Sequence, residues 1–315
     1  MFELIKSKKT LRFMHYSKPA SWFSILLIVA SFAALSVNWL NWGLDFTGGT
    51  VIEVGFEQPA VLKDVREVLA SSDFSDAIVQ HFGTSRDVMI RLAPREGVQG
   101  EVIGTQVLES LQNADFGQVD MRRIEFVGPN VGAELANSGG LAIIIALICI
   151  LIYVSIRFEW RLASGSVLAL AHDIIITLGF FSLFKIEVDL TVLAALLAVV
   201  GYSLNDTIVV FDRIRENFRL LTTTSSNEIV DISLTQTLSR TLITSGTTIF
   251  VLISLFIFGG ALIHGFATAL LIGVIVGTYS SIYVASALAI KLGISREHMI
   301  PEVVEKEGAD QAPLS

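Results

Sequence analysis

The sequence predicts a polytopic α-helical membrane protein. It has six transmembrane helices, one followed by five, with a small α+β ferredoxin-like external domain between the first and second spans. Three observations carry this. The 315 residues are 52% hydrophobic and only 17% charged, with a mean hydropathy of +0.66, whereas a soluble domain is nearer a quarter charged. Six apolar runs are each long enough to cross a bilayer. From residue 41 to 137, between the first two runs, the composition turns to that of a soluble domain.

Residues 1–21 form a basic segment with Lys6, Lys8, Lys9, Arg12 and Lys18, expected in the cytoplasm. The first span, 22–40, lies in an apolar run from Trp22 to Trp42. From Trp22 to Trp39 a helix rising 1.5 Å per residue covers about 26 Å, which fits a hydrocarbon core with an aromatic belt at each end. A cleaved signal peptide would have a shorter apolar region and a small-residue cleavage site, so the span is expected to be retained.

In the external segment, Val51–Phe56 alternates as a half-buried strand does. Val61, Leu62, Val65, Val68 and Leu69 follow helical spacing. Ala77–Phe82 and Asp87–Leu92 read as strands joined through Gly83-Thr84-Ser85-Arg86. A second helix carries Val98, Val102, Ile103, Val107, Leu108 and Leu111, and Arg122–Val127 forms a last strand. The order β-α-β-β-α-β is the ferredoxin-like pattern. His81 has no second ligand at metal-binding spacing and reads as an ordinary strand residue.

The five remaining runs are Gly139–Ile156, Leu162–Phe184, Leu190–Phe211, Thr241–Phe258 and Phe266–Ile290, giving a five-helix domain over 138–291. Arg157 and Arg161 sit in one connection. Arg213, Arg215 and Arg219 sit in the stretch from Asp212 to Arg240. Lys291, Arg296 and Lys306 end the chain. The opposite connections hold only Lys185. The positive-inside rule therefore predicts both termini in the cytoplasm and residues 41–137 outside. Residues 292–315 form the cytoplasmic tail, and its polar part after Ser295 is expected to be poorly ordered.

The polar groups inside the spans are the functional candidates. Asp206 lies late in the fourth span, where a carboxylate is a functional site by default; its alternative is a capping or packing role. Tyr202, Ser203 and Asn205 surround it with polar groups. Burial and a nearby cation act oppositely on a carboxylate's hold on its proton, which is the chemistry of a relay. Arg240 opens the fifth span and shares a helical face with Thr244, Thr247 and Thr248. That stripe is expected to face the bundle interior, with Arg240 beside Asp206, or else Arg240 snorkels to the cytoplasmic surface. His172-Asp173, near the middle of the third span, is either a proton shuttle or a buried structural pair. Asp212, Arg213, Arg215 and Glu216 read as a solvated helix end and interaction surface. Gly273 and Gly277 form G-x-x-x-G, which allows close helix contact.

Other chemistry is absent from the pattern. Cys149 stands alone in an apolar run and reads as packing. His81 to Asp87, HFGTSRD, lacks the lysine and second glycine of a P-loop. No catalytic residue, metal set or cofactor site is expected, no nucleic-acid partner, and no enzyme.

Several stretches resemble the SecD/SecF family of the resistance–nodulation–division superfamily. GLDFTGGT (Gly43 to Thr50) and RIEFVGPNVGAEL (Arg123 to Leu135) are similar to that family at large. FEWRLASGSVLALAHD (Phe158 to Asp173), GYSLNDTIVVFDRIRENFR (Gly201 to Arg219) and SLTQTLSRTLITSGTT (Ser233 to Thr248) are similar to its SecF branch. The resemblance runs from Asn41 to Met299. It implies one half of a twelve-span core, completed by SecD, in the bacterial inner membrane. It implies a role beside the SecYEG channel, where the proton gradient, without ATP, completes the movement of unfolded preprotein on the periplasmic side. Protons, lipid and preprotein are then the partners. The family's proton-pathway pair falls on Asp206 and Arg240; nothing comparable is implied for His172 or Asp173. Two other functions compete: a scaffold that only stabilises SecD and the channel, and half of a small-molecule or lipid exporter of the same superfamily. The external segment is short for a drug-binding vestibule.

Overall fold

A computed structural model describes residues 10–95, 100–114 and 116–299. Val98, Lys6, Lys8, Lys9, Lys306 and the end of the polar tail lie outside them. The chain opens with α1 (Ser17–Asn38), β1 (Asn41–Trp42) and α2 (Leu44–Thr47). The external domain follows as β2 (Gly49–Phe56), α3 (Leu62–Ser71), β3 (Ile78–Phe82), β4 (Thr84–Leu92), α4 (Gly100–Gln112) and β5 (Val119–Val127). The membrane part comprises α5 (Pro129–Arg157), α6 (Trp160–Leu183), β6 (Glu187–Val188), α7 (Leu190–Leu220), α8 (Ser226–Phe258), α9 (Ala261–Ser280) and α10 (Ser286–Lys291), with a π-helical turn from Ser281 to Ala285 between the last two.

Six helical stretches are long and apolar enough to cross a membrane, so the chain is a multi-pass membrane protein. The helices outrun the apolar stretches that mark them in the sequence. Asp212 to Arg240, which reads as a loop, is almost wholly helical: α7 continues to Leu220 and α8 starts at Ser226. The local reason is an N-cap: Ser225 accepts a 3.4 Å hydrogen bond from the Glu228 amide three residues on. The start of α8 buries Ile229, Val230 and Leu234. Likewise α5 begins at Pro129, a favoured first helical residue, ahead of its apolar run.

In the external domain the four-stranded antiparallel sheet runs β3-β4-β2-β5, the strand order of the ferredoxin-like βαββαβ unit. Ile52, Val54, Ile90 and Leu92 form its core with Leu69 of α3 and Ile103 and Leu111 of α4. β3 and β4 meet more tightly than the sequence implies. β4 already begins at Thr84, and Gly83 turns the chain with φ +77°. Gly49 (φ +117°) starts β2 where a Cβ would lie 2.3 Å from the Leu92 carbonyl oxygen, so only glycine fits.

The domain is fastened to the membrane helices by backbone. β1 pairs in parallel with β6, the turn between α6 and α7. The Gly43 amide donates to the Val188 carbonyl at 2.8 Å, and the Leu190 amide donates to Asp45 Oδ2 at 2.9 Å. Arg91 of β4 reaches down to the Trp42 carbonyl (2.8 Å) and Thr47 Oγ1 (2.6 Å), with Glu187 at 3.6 Å. Burial pushes the Glu187 carboxyl up from its usual value and Arg91 pulls it partly back. These short elements carry no periodic signal in the sequence.

Candidate functional site

The site lies where α7, α8 and α9 pack. Gly273 and Gly277 of α9 allow the approach: a Cβ at Gly273 would come within 2.2 Å of Val199, and one at Gly277 within 3.0 Å of Ser203 Cβ. The G-x-x-x-G is thus the seam against α7. Polar pairs bracket it. Thr207 and Ser281 hydroxyls lie 2.9 Å apart, and Ser245 of α8 meets Thr278 at 2.8 Å and takes a hydrogen bond from Tyr202 at 3.3 Å.

Asp206 is buried, at 7% exposure, sixteen residues into α7 or about 24 Å along it. Its Oδ1 accepts a 2.8 Å hydrogen bond from Thr241 Oγ1, while Oδ2 is buried without a partner among the described residues. Arg240, next to Thr241, acts on the Asp206 charge through space but forms no ion pair with it among the described residues. Arg240 itself is exposed.

The inward stripe of α8 differs from the expected one. Thr241 and Ser245 face the bundle, while Arg240, Thr244 and Thr247 are exposed and Thr248 is half-buried. One residue along a helix turns the face by 100°, and the larger apolar packing of Leu234 and Leu238 sets which stripe goes in. The outward threonines bond their own helix: Thr244 to the Arg240 carbonyl, Thr247 to that of Ile243 and Thr248 to that of Thr244, all at 2.9 Å. Asn205 is exposed as well. Thr241 is the residue that sequence reasoning missed; its only signal is a hydroxyl at the fourth-residue spacing of Ser245.

His172 and Asp173 are brought together with α7 and α9. Both are buried, at 3% and 0% exposure. Asp173 Oδ1 lies 2.9 Å from His172 Nδ1. Its Oδ2 accepts from Ser203 Oγ at 2.6 Å and Ser280 Oγ at 2.8 Å. Ser280 also went unmarked, although the Ser280-Ser281 doublet interrupts an apolar run. Near the ends of α5 and α7, Asp212 is less solvated than expected: Arg157 of α5 donates to both its oxygens at 2.7 and 2.8 Å, and Arg215 adds a 3.1 Å contact. It clamps α5 to α7. Among the described residues no group of acidic, histidine or cysteine side chains could hold a metal ion.

Residues 106–295 match the family model described as protein export membrane protein SecD/SecF, C-terminal, and residues 33–60 match the SecD/SecF GG motif. The chain is 66% identical to protein translocase subunit SecF of Vibrio alginolyticus, covering 98% of each chain. It is 54% identical to the protein of that name from Escherichia coli O157:H7, over 99% of this chain and 97% of the other. The crystal structure of SecDF, a translocon-associated membrane protein from Thermus thermophilus, superposes with a TM-score of 0.82 at 35% identity. That match covers 92% of this chain and 39% of the solved one. The chain thus spans about two fifths of that longer protein's length.

Proposed function

The chain belongs to the SecD/SecF protein-export family, and from that premise we propose that it couples the proton gradient to late, ATP-independent preprotein translocation. It does so as the SecF half of a pair with SecD, beside the SecYEG channel of the bacterial inner membrane. Both termini are cytoplasmic, and residues 41–137 lie in the periplasm, where the unfolded preprotein emerges. Asp206 takes and releases the proton, and Arg240 is its charge partner.

One observation carries this reading: Asp206 is buried in a membrane helix with one oxygen held by Thr241 and the other bare. A carboxylate at that depth needs a partner or a proton, and a single hydroxyl is a thin supply. A second feature supports the pairing. Asn205, Arg240, Thr244 and Thr247 are each exposed on helices otherwise built for hydrocarbon, and such residues face a bundle interior in an assembled protein. This chain covers 39% of the longer SecDF chain, and on this reading SecD supplies that interior. Protonation of Asp206 would weaken its attraction to Arg240 and let α7 and α8 shift. One charge crossing 100 mV yields about 2.3 kcal/mol, so sustained pulling needs several protons.

The test is Asp206→Asn, co-expressed with SecD and assayed for gradient-driven completion of preprotein export in inverted vesicles. Loss of gradient-driven export in an intact complex is the expected result. Unchanged export would leave the scaffold function as the better account.

A further inference from the structure

A second ionisable pair in the bundle takes no part in the Asp206 contacts. Building on the proton-driven reading above, we infer that His172 is a proton carrier on the α1 side of the bundle, with Asp173 as its positioning residue.

The hydrogen bonds give the direction. Asp173 Oδ2 already accepts two hydroxyls, Ser203 from α7 and Ser280 from α9. Its Oδ1 faces His172 Nδ1 at 2.9 Å. A carboxylate held as acceptor at every contact takes the Nδ1–H, and that fixes the tautomer: the lone pair sits on Nε2. Orienting an imidazole this way leaves its far nitrogen free for proton transfer, as a buried aspartate does in hydrolytic triads. Nε2 is buried and has no partner among the described residues.

His172 also lines a cleft of about 250 Å³ between α1, α6 and α10, with Ser21, Ser24 and Lys291 among its walls. At about 30 Å³ per water it has room for several. The first turns of α1 and the last turn of α10 bring these polar groups to one end of the bundle. The groups around the imidazole are few. Asp173 lies on its own helix. Tyr279 of α9 stacks on the ring at 6.4 Å, its hydroxyl occupied by the Ala20 carbonyl and Ser24. Lys291 stands on α10. From α1 the Ser21 and Ser24 hydroxyls line the cleft, and from α7 the Ser203 hydroxyl reaches Asp173. Ser203 is three residues before Asp206 on the same helix, so the pair lies one turn from the carboxylate of the main site. In the step itself, the Nε2 lone pair takes H⁺ from a hydronium ion arriving through the cleft and leaves water behind. The Asp173 carboxylate balances the imidazolium charge while Nδ1–H stays in place, and transfer of H⁺ from Nε2 to another water, which becomes hydronium, restores the lone pair.

The decisive variant is His172→Asn, because an asparagine amide still donates to Asp173 but cannot carry a proton. It is assayed with SecD in inverted vesicles, alongside Asp206→Asn, over a range of pH. Gradient-driven export should fall by about a hundredfold, the low end for removing a positioned proton carrier, with the pH profile changed in shape and the complex intact. If Asp206→Asn is inactive while His172→Asn keeps the parent rate, His172 carries no proton and the inference fails alone. If His172→Asn lowers the rate uniformly with an unchanged profile, the pair is structural and the inference also fails. If Asp206→Asn is fully active, the proton-driven reading falls and takes the inference with it. Should His172→Asn not assemble, nitrogen-15 NMR of histidine-labelled parent complex decides. A His172 Nδ1–H tautomer whose Nε2 signal moves with pH supports the inference; an invariant Nε2–H tautomer overturns it.

Discussion

Two carboxylates lie buried in the same helical bundle, and their surroundings differ sharply. Asp173 is met by donors on both oxygens from three helices. Asp206 has one donor and one bare oxygen. A fully satisfied buried carboxylate is a stable anion that ties its neighbours together; a half-satisfied one gains from binding a proton or a moving cation. The same residue type thus serves as a tie at one position and is poised to change at the other, and the count of hydroxyls decides which.

The sharpest way to break this contrast is to remove each carboxylate in turn. Asp206→Asn should stop gradient-driven export, a loss on the order of a hundredfold, while leaving the thermal unfolding of the purified complex near the parent's. Asp173→Ala should lower export through its hold on His172 and, unlike Asp206→Asn, also unfold the bundle at lower temperature. It orphans the Ser203 hydroxyl and an imidazole, whereas Ser280 keeps the Gly277 carbonyl at 3.1 Å, and each buried group left unmade costs about 1–3 kcal/mol. A melting curve for Asp173→Ala that overlays the parent would end the distinction. Next comes the seam beneath both sites. Gly273→Ala forces a methyl against Val199, and overpacking of this kind costs about 1–3 kcal/mol, readable as a lower melting temperature in detergent. Thr241→Val removes the donor on Asp206 and Thr241→Ser restores it. Export should fall about tenfold in the first, the worth of one hydrogen bond to a charged group, and recover in the second. Equal rates in both would show that Thr241 is only packing.

The smallest expected effect lies outside the membrane. Burial raises the Glu187 carboxyl above its usual range, more than Arg91 lowers it. An acid raised in the folded state binds more protons folded than unfolded. The docked arrangement is therefore favoured at low pH and loses that contribution as pH rises through the raised titration range. Glu187→Gln should make melting slightly higher than the parent's at neutral pH, with the gap closing below about pH 4, under the ordinary glutamate range. A Glu187→Gln protein that melts below the parent at neutral pH, with that deficit closing on acidification, would reverse the sign and assign the dominant role to the Arg91 pair.

Much of this architecture was legible in the residues. Six apolar runs and a period-two, period-3.6 alternation between Val51 and Val127 fix spans and domain, because burial against lipid or a core leaves a repeating signature. Asp206, His172 and Asp173 stand out because charge is rare at that depth. The facing of α8 was not legible. Arg240-Thr244-Thr247-Thr248 and Thr241-Ser245 are equally polar stripes one residue apart, and only packing against α7 and α9 chooses between them. Nor were β1, β6 and the Asp45 contact, since two-residue elements have no period. The hydroxyls of Thr241 and Ser280 were invisible for a related reason: a threonine or serine in a span commonly bonds its own helix, as Thr244 and Thr247 do.

The backbone seam between β1 and β6 has a mechanical consequence. It hooks the entrance of the external domain to the first turn of α7, and Asp45 grips the Leu190 amide at the same point. From Leu190 to Asp206 the chain is one uninterrupted helix of about 24 Å. Its two ends are the ends of a strut. On the proton-driven reading, load applied to the domain would be felt at the carboxylate, and a carboxylate that changes its neighbours would push back on the load.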